Sequence, residues 1–292
     1  MKVRAATRGS ALARWQTDHV ATLLRAVDPT IEVEVVVIDT IGDRRLDVPI
    51  SELGGKGVFA KEVQAAVLDG RADIAVHSAK DLPSVTIDGL TLAAVPERGD
   101  PRDALVGSTL AGLPSGAVVA TGSNRRRVQL AALRPDLRFA ELRGNMATRL
   151  AKAIDFDAIV VAAVALDRLG WADRIAEILT VEQLVPQVGQ GALAVECRAD
   201  DQALRSVLDA IEDGPSRRRV DAERAFLEEL GGDCDLPAGA HATIAAESDE
   251  LGLDAVLAEA DGSVVHRASM HGSNPVRLGR DLAVELRSRL GP

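Results

Sequence analysis

Short apolar runs alternate with amphipathic helical segments along most of this 292-residue chain. From residue 1 to about 95 the predicted order is strand, helix, strand, loop, helix, strand and strand. A second α/β pattern follows from about 96 to 189. Strands that alternate with helices form βαβ units on a mainly parallel sheet. The sequence therefore predicts two α/β lobes.

The chain is expected to pass between these two lobes twice. Residues 96–103 interrupt the first pattern, and a strand predicted at 192–197 with a helix near 202–212 resumes it. We assign residues 1–95 and 190–212 to domain 1 and 96–189 to domain 2, joined by a double hinge as in periplasmic-binding-protein-like folds. Clefts at the carboxyl ends of parallel strands are where such folds bind ligands.

The remaining residues, 213–292, have a different pattern. A helix and a glycine-rich turn precede three strands, predicted at 240–248, 252–260 and 263–271, and a helix is predicted at 275–290. This order predicts a small C-terminal α+β domain with a three-stranded antiparallel sheet.

Three of the predicted strand-to-helix turns carry arginine. They are Arg8-Gly9-Ser10, Gly122-Ser123-Asn124-Arg125-Arg126 and Arg143-Gly144-Asn145 with Arg149 in the following helix. A helix N-terminus presents unpaired N–H groups that suit an anion. Guanidinium groups match carboxylates and phosphates. Three such turns in one chain predict a ligand with several negative groups.

The overall charge argues against nucleic acid as that ligand. The chain has 34 Lys and Arg against 44 Asp and Glu, a formal net charge of -10, whereas nucleic-acid-binding domains are usually basic. Base stacking also requires aromatic residues, and the chain has no Tyr, four Phe and two Trp. The arginines are therefore interpreted as local anion pockets.

Membrane, secretion and metal signals are missing from the sequence. No apolar run approaches the roughly 18 residues of a membrane span, and residues 1–10 lack a signal-peptide pattern. The two cysteines and five histidines show no metal-ligand spacing. We expect a cytoplasmic protein with no metal.

The segment 72–83 is the first candidate for chemistry. An apolar strand ends at His77 and Ser78, and Lys80 and Asp81 follow before a proline. Lys80 could hold a ligand carboxylate while Asp81 acts as acid or base. The alternative is a solvated Lys-Asp turn with His77 hydrogen-bonded to the backbone.

Two further segments are candidates on local grounds. Cys234 lies in a glycine-rich loop, where a thiol can become a nucleophile, although Asp233 and Asp235 oppose its ionisation. Cys197 lies in a strand pattern and is expected to be core. Residues 41–57 have no clear period and form a candidate lid.

Six segments, taken in order over nearly the whole chain, carry a resemblance to a known family. They are Ala6-Thr7-Arg8-Gly9-Ser10, Gly54-Gly55-Lys56-Gly57-Val58-Phe59, His77-Ser78-Ala79-Lys80-Asp81-Leu82-Pro83, Arg143-Gly144-Asn145, Val188-Gly189-Gln190-Gly191-Ala192 and the Cys234 loop. They closely resemble hydroxymethylbilane synthase, also called porphobilinogen deaminase. The resemblance implies a monomeric three-domain transferase of tetrapyrrole (porphyrin, heme) biosynthesis. It would join four porphobilinogen molecules with loss of ammonia and then release linear hydroxymethylbilane by hydrolysis.

The resemblance also implies a cofactor and roles for individual residues. A dipyrromethane, built from substrate, would be bound through a thioether to Cys234, and Asp81 would be the catalytic residue. The implied cofactor-binding residues are Lys80, Ser123, Arg125, Arg126, Arg143 and Arg149. The implied contacts to porphobilinogen and the growing chain are Arg8, Ser10, Gln16, Phe59 and Arg168.

At three positions the chain departs from the family's commoner pattern. Gly122 replaces a serine whose hydroxyl would contact the ligand, Asp233 replaces a glycine, and Glu52 stands where some members have lysine. The rival interpretation is a non-catalytic anion-binding module, which would need neither the Cys234 loop nor a third domain.

Overall fold

The computed structural model describes residues 1–40, 57, 59–231, 236–246, 248–259 and 262–290. Three sequence-based expectations lie outside the described residues. The first is the lid at 41–57 with Glu52, of which only residue 57 is described. The second is the start of the second predicted helix at Val58, and the third is the loop with Asp233 and Cys234.

Within the described ranges, the strands and helices alternate as the sequence predicts. The strands are β1 (Lys2–Arg8), β2 (Glu32–Ile38), β3 (Ile74–Ser78), β4 (Leu90–Ala94), β5 (Asp103–Val106), β6 (Val118–Ala120), β7 (Arg138–Ala140), β8 (Ala158–Ala162), β9 (Glu177–Ile178), β10 (Leu193–Arg198), β11 (Ala238–Ile244), β12 (Leu251–Ala258) and β13 (Val265–Gly272). The α-helices are α1 (Ala11–Val27), α2 (Lys61–Leu68), α3 (Asn124–Leu133), α4 (Met146–Ala151), α5 (Ala163–Arg168), α6 (Gln202–Asp209), α7 (Gly214–Glu229) and α8 (Pro275–Leu290).

The chain divides into two compact units. The first comprises Met1–Gly99 and Ala192–Val220, and the second comprises Asp100–Gly191 and Asp221–Pro292. The three-domain division made from the sequence stays a prediction.

The first unit is built on a five-stranded sheet in the order β2-β1-β3-β10-β4. Strands β1, β2 and β3 are parallel, and β10 runs antiparallel to both of its neighbours. Helix α1 packs on this sheet through Val20 and Leu24, which are spaced four residues apart on its apolar face. Helix α2 contributes Val63 and Val67 to a second cluster with the sheet. Strand β3 is therefore central and covered by helices.

The second unit contains two sheets. The larger has the order β7-β6-β8-β5-β9, in which β6, β7 and β8 are parallel and β5 is antiparallel. The smaller is antiparallel, β11-β12-β13, and packs on Phe226 of α7 and Leu282 of α8. Two α/β sheets and a C-terminal three-stranded antiparallel sheet confirm the predicted fold class. Strands β5 and β9 were not predicted, and strand β10 was predicted at 192–197 without its antiparallel direction.

None of the helices within the described residues has the length and apolar character that crossing a membrane requires.

Candidate active site

Lys80 and Asp81 lie directly after the central strand of the first unit. Strand β3 ends at Ser78, and residues 79–81 form a 3-10 turn whose first residue donates a backbone hydrogen bond to Ala192 O at 3.0 Å. Both Lys80 and Asp81 are half-buried. The structure thus places this pair at the carboxyl end of a buried strand, as the sequence predicts.

The carboxylate of Asp81 has open acceptor positions. Among the described residues, none donates a hydrogen bond to it or pairs with it as a cation. A half-buried carboxylate with open oxygens can accept a proton or face a developing positive charge. This arrangement is suited to acid-base work.

Gln16 supports the end of the same strand from helix α1. Its amide Nε2 donates to Ser78 Oγ at 2.8 Å, and the side chain is buried. The structure therefore brings Gln16 close to the Lys80 turn, although this amide N–H group is used inside the protein. Its contact with substrate stays a prediction.

Arg8 and Phe59 are brought together from distant parts of the sequence. The guanidinium carbon of Arg8 lies 4.0 Å from the centroid of the Phe59 ring, a cation-π contact. Ser10 caps helix α1, because its Oγ accepts a hydrogen bond from Ala13 N at 3.3 Å. The hydroxyl proton of Ser10 is not consumed by this cap.

Among the described residues, His77 does not have the backbone partner that the alternative interpretation gives it. It is buried, and its Nε2 lies 3.2 Å from Oε2 of Glu196, which also accepts a hydrogen bond from Gln64 Nε2 at 2.8 Å. Glu196, rather than the backbone, is thus the neighbour of the imidazole.

In the second unit, Arg125 and Arg126 are buried against Asp103. Arg125 is 3% exposed, Arg126 5% and Asp103 0%. Nη2 of each arginine lies 2.7 Å from one oxygen of Asp103, and Arg126 Nε donates to the same carboxylate at 3.1 Å. These arginines were predicted to contact the cofactor, and that role stays a prediction. Asp103 was not predicted as a site residue, although the short apolar run that follows it, Ala104 to Val106, indicates a strand.

The two arginines keep Asp103 ionised. Burial alone would raise the pKa of Asp103, but the positive charges of Arg125 and Arg126 outweigh burial and hold that pKa well below its usual range. Burial lowers the pKa of Arg125, against the opposing effect of Asp103. Asp103 is therefore an anion throughout the ordinary pH range.

Each of the last three residues of the glycine-rich turn at 187–191 makes a hydrogen bond that involves a side chain. Gln190 is buried and donates to Asp103 Oδ1 at 2.8 Å. Gly189 N donates to the buried Glu223 at 2.7 Å, and Arg168 Nη2 donates to Gly191 O at 2.7 Å. Burial lowers the pKa of Arg168 to about 10. Arg168 is therefore placed at this turn.

The turn after β7 holds Arg149. The Arg149 Nε donates to Gly144 O at 2.8 Å, and Asn145 Oδ1 accepts from Thr148 N at 3.0 Å. Gly144 has a φ of 115°, a left-handed conformation that favours glycine. Arg143 and Arg149 are half-buried, in contrast to Arg125 and Arg126.

Packing explains the departure at Gly122. A Cβ at this position would lie 2.8 Å from the carbonyl oxygen of Leu142, so a serine would force the two turns apart. The neighbouring Ser123 begins helix α3 without a capping hydrogen bond from its side chain to any described residue. Its hydroxyl is therefore not engaged in capping.

Comparison with known proteins identifies the family. Residues 3–206 match the family model "Porphobilinogen deaminase, dipyromethane cofactor binding domain", and residues 217–288 match "Porphobilinogen deaminase, C-terminal domain". A porphobilinogen deaminase of Brevibacillus brevis is 44% identical over 98% of this chain and 94% of its own length. Those of Nitratidesulfovibrio vulgaris and a Geobacillus species are 44% and 45% identical, over 98% and 99% of this chain and 93% and 94% of their own lengths.

Likeness to solved structures is weaker. A nutrient-binding protein from Burkholderia cenocepacia has a TM-score of 0.44 at 13% identity, covering 79% of this chain and 96% of its own, too low to support a functional comparison. The two family models and the relatives, by contrast, span nearly the whole sequence. The chain therefore belongs to the porphobilinogen deaminase family.

Proposed function

We propose that this enzyme joins four porphobilinogen molecules head to tail on a bound dipyrromethane, releases ammonia at each addition and frees linear hydroxymethylbilane by hydrolysis. The observation that carries the proposal is the Lys80 and Asp81 pair, half-buried at the end of β3, with an Asp81 carboxylate that accepts no hydrogen bond from the described residues. A binding module has no need of an open carboxylate at this position, since a carboxylate repels the anionic ligand.

The residues present fit a dipyrromethane. Each pyrrole unit of that group bears an acetate and a propionate, so it needs several cationic donors. Arg125 supports the fit, because its Nε is buried without an acceptor among the described residues. The residues that would hold the group are Lys80, Ser123, Arg125, Arg126, Arg143 and Arg149, with Cys234 as the covalent anchor. When bound, it supplies the pyrrole α-carbon to which the first substrate unit is joined.

Asp81 is the catalytic residue of the chemical step. Positive charge develops on a substrate pyrrole as its ammonia leaves, and the Asp81 carboxylate opposes that charge. The same carboxylate accepts the proton that leaves the attacking α-carbon when the new carbon-carbon bond is complete. A positioned acid or base contributes about 10²–10⁴-fold to a rate.

The other predicted residues bind and orient the substrate or position the residues that do so. Lys80 neutralises a ligand carboxylate beside Asp81, and Ser10 can donate its hydroxyl proton to another. Phe59, held against Arg8, offers a ring face to the substrate pyrrole. Gln16 fixes the strand end that carries Asp81, and Arg168 lies at the 187–191 turn. As the family resemblance implies, we place the enzyme in the cytoplasm as a monomer.

The direct test is turnover of porphobilinogen by the purified protein. We expect linear hydroxymethylbilane, with four ammonia molecules released for each product, measured by absorbance of the cyclised product and by an ammonia assay. An anion-binding module would bind porphobilinogen, seen by calorimetry, and release no ammonia. That result would reject the proposed function.

Arg143 and Arg149 are expected to act on ligand carboxylates rather than on folding. Arg143→Leu or Arg149→Leu should reduce dipyrromethane loading or turnover at least tenfold, since a charge-assisted hydrogen bond contributes roughly 1.5–3 kcal/mol. The thermal midpoint should change by only a few degrees, because both side chains are half-buried.

The matched control is Arg174→Leu, an exposed arginine of the same unit. It should leave loading and turnover unchanged. Unaltered turnover in both Arg143→Leu and Arg149→Leu would contradict a polycarboxylate ligand at this turn.

A further inference from the structure

Asp103 is a fully buried carboxylate that binds three side chains at once. Its Oδ1 accepts hydrogen bonds from Arg126 Nη2 at 2.7 Å and from Gln190 Nε2 at 2.8 Å, and its Oδ2 accepts one from Arg125 Nη2 at 2.7 Å. The start of β5, the first turn of α3 and the 187–191 turn therefore meet at one carboxylate. We call these four side chains the Asp103 cluster.

The cluster carries an unbalanced charge. Two guanidinium groups face one carboxylate, so one positive charge is in surplus in a nearly dry environment. The arginines also donate hydrogen bonds to backbone carbonyls. Arg125 Nη1 donates to Val185 O at 2.5 Å, and Arg126 Nη1 donates to Val160 O at 3.1 Å. A carbonyl satisfies an N–H group but does not neutralise its charge.

Hydrogen-bond donors are in surplus as well. Each guanidinium has five N–H groups, and the bonds above leave some of them unused. On Arg125 the Nε is buried and has no acceptor within the part of the chain that the structure describes. Unused donors and one surplus charge together match a single further carboxylate.

A purely structural carboxylate does not require this arrangement. Glu223, in the same unit and also 0% exposed, accepts hydrogen bonds from the backbone N–H groups of Gly189 and Ala242 at 2.7 and 2.9 Å, and Nδ1 of His241 lies 3.8 Å from its Oε1. Burying two arginines with one acid is costly unless the second charge has a partner in the working enzyme.

We propose that Asp103 is a positioning residue for dipyrromethane binding. It fixes Arg125 and Arg126 so that their remaining N–H groups bind one ligand carboxylate. Its negative charge leaves the cluster with a single net positive charge, which that carboxylate neutralises. This inference rests on the proposed function. Asp103 does not touch the reacting atoms. It acts through the two arginines and through Gln190.

The test compares dipyrromethane loading with thermal stability in a set of variants. Asp103→Asn removes the charge and keeps the shape, and Asp103→Glu keeps the charge and displaces it. Leu105→Ala, two residues along the same strand and fully buried, opens a cavity without changing any charge. Asp136→Asn removes a carboxylate paired with Arg134 just beyond the other end of α3. Intact mass of the folded fraction reports loading.

Dipyrromethane loading should depend on the charge at position 103 and not on the thermal stability of the variant. We expect at least a tenfold smaller loaded fraction in Asp103→Asn and an intermediate fraction in Asp103→Glu. Leu105→Ala, with a thermal midpoint lower by about 5–10 °C, and Asp136→Asn should load like the parent. Parent-level loading in Asp103→Asn, or loading that falls with the midpoint across all variants, would overturn the inference.

If Asp103→Asn yields no folded protein, Gln190→Met makes the test, because Gln190 contributes only one of the bonds to Asp103. Reduced loading at an unchanged midpoint then supports the inference, and parent-level loading contradicts it. If the parent protein itself carries no adduct, the proposed function fails rather than the role of Asp103.

Discussion

Asp81→Asn is expected to lower turnover by about 10²–10⁴-fold, the usual contribution of a positioned acid or base. The substitution keeps the shape of the side chain and removes its charge and its ability to take a proton. Asp81 is half-buried at the end of β3. Dipyrromethane that has been assembled should remain attached, because its carboxylates are held by other residues. Intact mass and product formation, measured on the same preparation, separate binding from chemistry.

Asp81→Glu is the matched variant, since it keeps the carboxylate and only moves it. It should retain more activity than Asp81→Asn. Asp69→Asn is a control in the same unit, an exposed carboxylate paired with Arg71, and it should leave turnover unchanged. Near-normal turnover in Asp81→Asn would mean that another group stabilises the developing charge.

Much of the fold follows from local patterns in the sequence. Helix α1, from Ala11 to Val27, has the bounds that its amphipathic pattern predicts, and α8 likewise runs from Pro275 to Leu290. Strand β9 has two residues and β5 has four, too few to show a period. Those strands owe their place to pairing with β8 and with each other, which no local pattern reveals.

The candidate site likewise contains residues that local sequence patterns predict and residues that only the tertiary fold brings together. Lys80 and Asp81 are set by their own strand and turn, and the structure places them where the sequence predicts. The burial of Arg125 was not predictable, because Asp103 lies 22 positions before it, in a segment rich in Pro, Asp and Arg that resembles a solvated turn. Gln190, 87 positions from Asp103, completes the cluster. Contacts between such distant segments need the tertiary fold.

Arginines near a helix N-terminus therefore occur in two different environments in this chain. Arg143 and Arg149 remain half-buried, as expected for residues that meet a ligand, whereas Arg125 and Arg126 already share an internal carboxylate. The sequence shows the same residue type after the same kind of strand in both cases. The depth of burial, rather than the local motif, distinguishes the two pairs.

Cys234→Ala is expected to abolish the covalent adduct and, with it, product formation. The intact mass of the parent protein should exceed its sequence mass by two linked pyrrole units, located on the peptide that contains Cys234. The chain has two cysteines, and the other is unsuited to this bond. Cys197 is buried, and burial raises the pKa of its thiol to about 11. Its thiolate, the nucleophilic form, is therefore scarce near neutral pH.

Cys197→Ala serves as the control, because it removes a thiol that already contacts Arg198 O at 3.4 Å inside the core. It should lower the thermal midpoint and leave the adduct mass unchanged. Peptide mapping after proteolysis distinguishes the two positions. An adduct on Cys197, or active protein with an unmodified Cys234, would show that the anchor lies elsewhere. A lost adduct in Cys234→Ala together with an intact one in Cys197→Ala would assign the thioether to Cys234, because the two variants differ only in which thiol is removed.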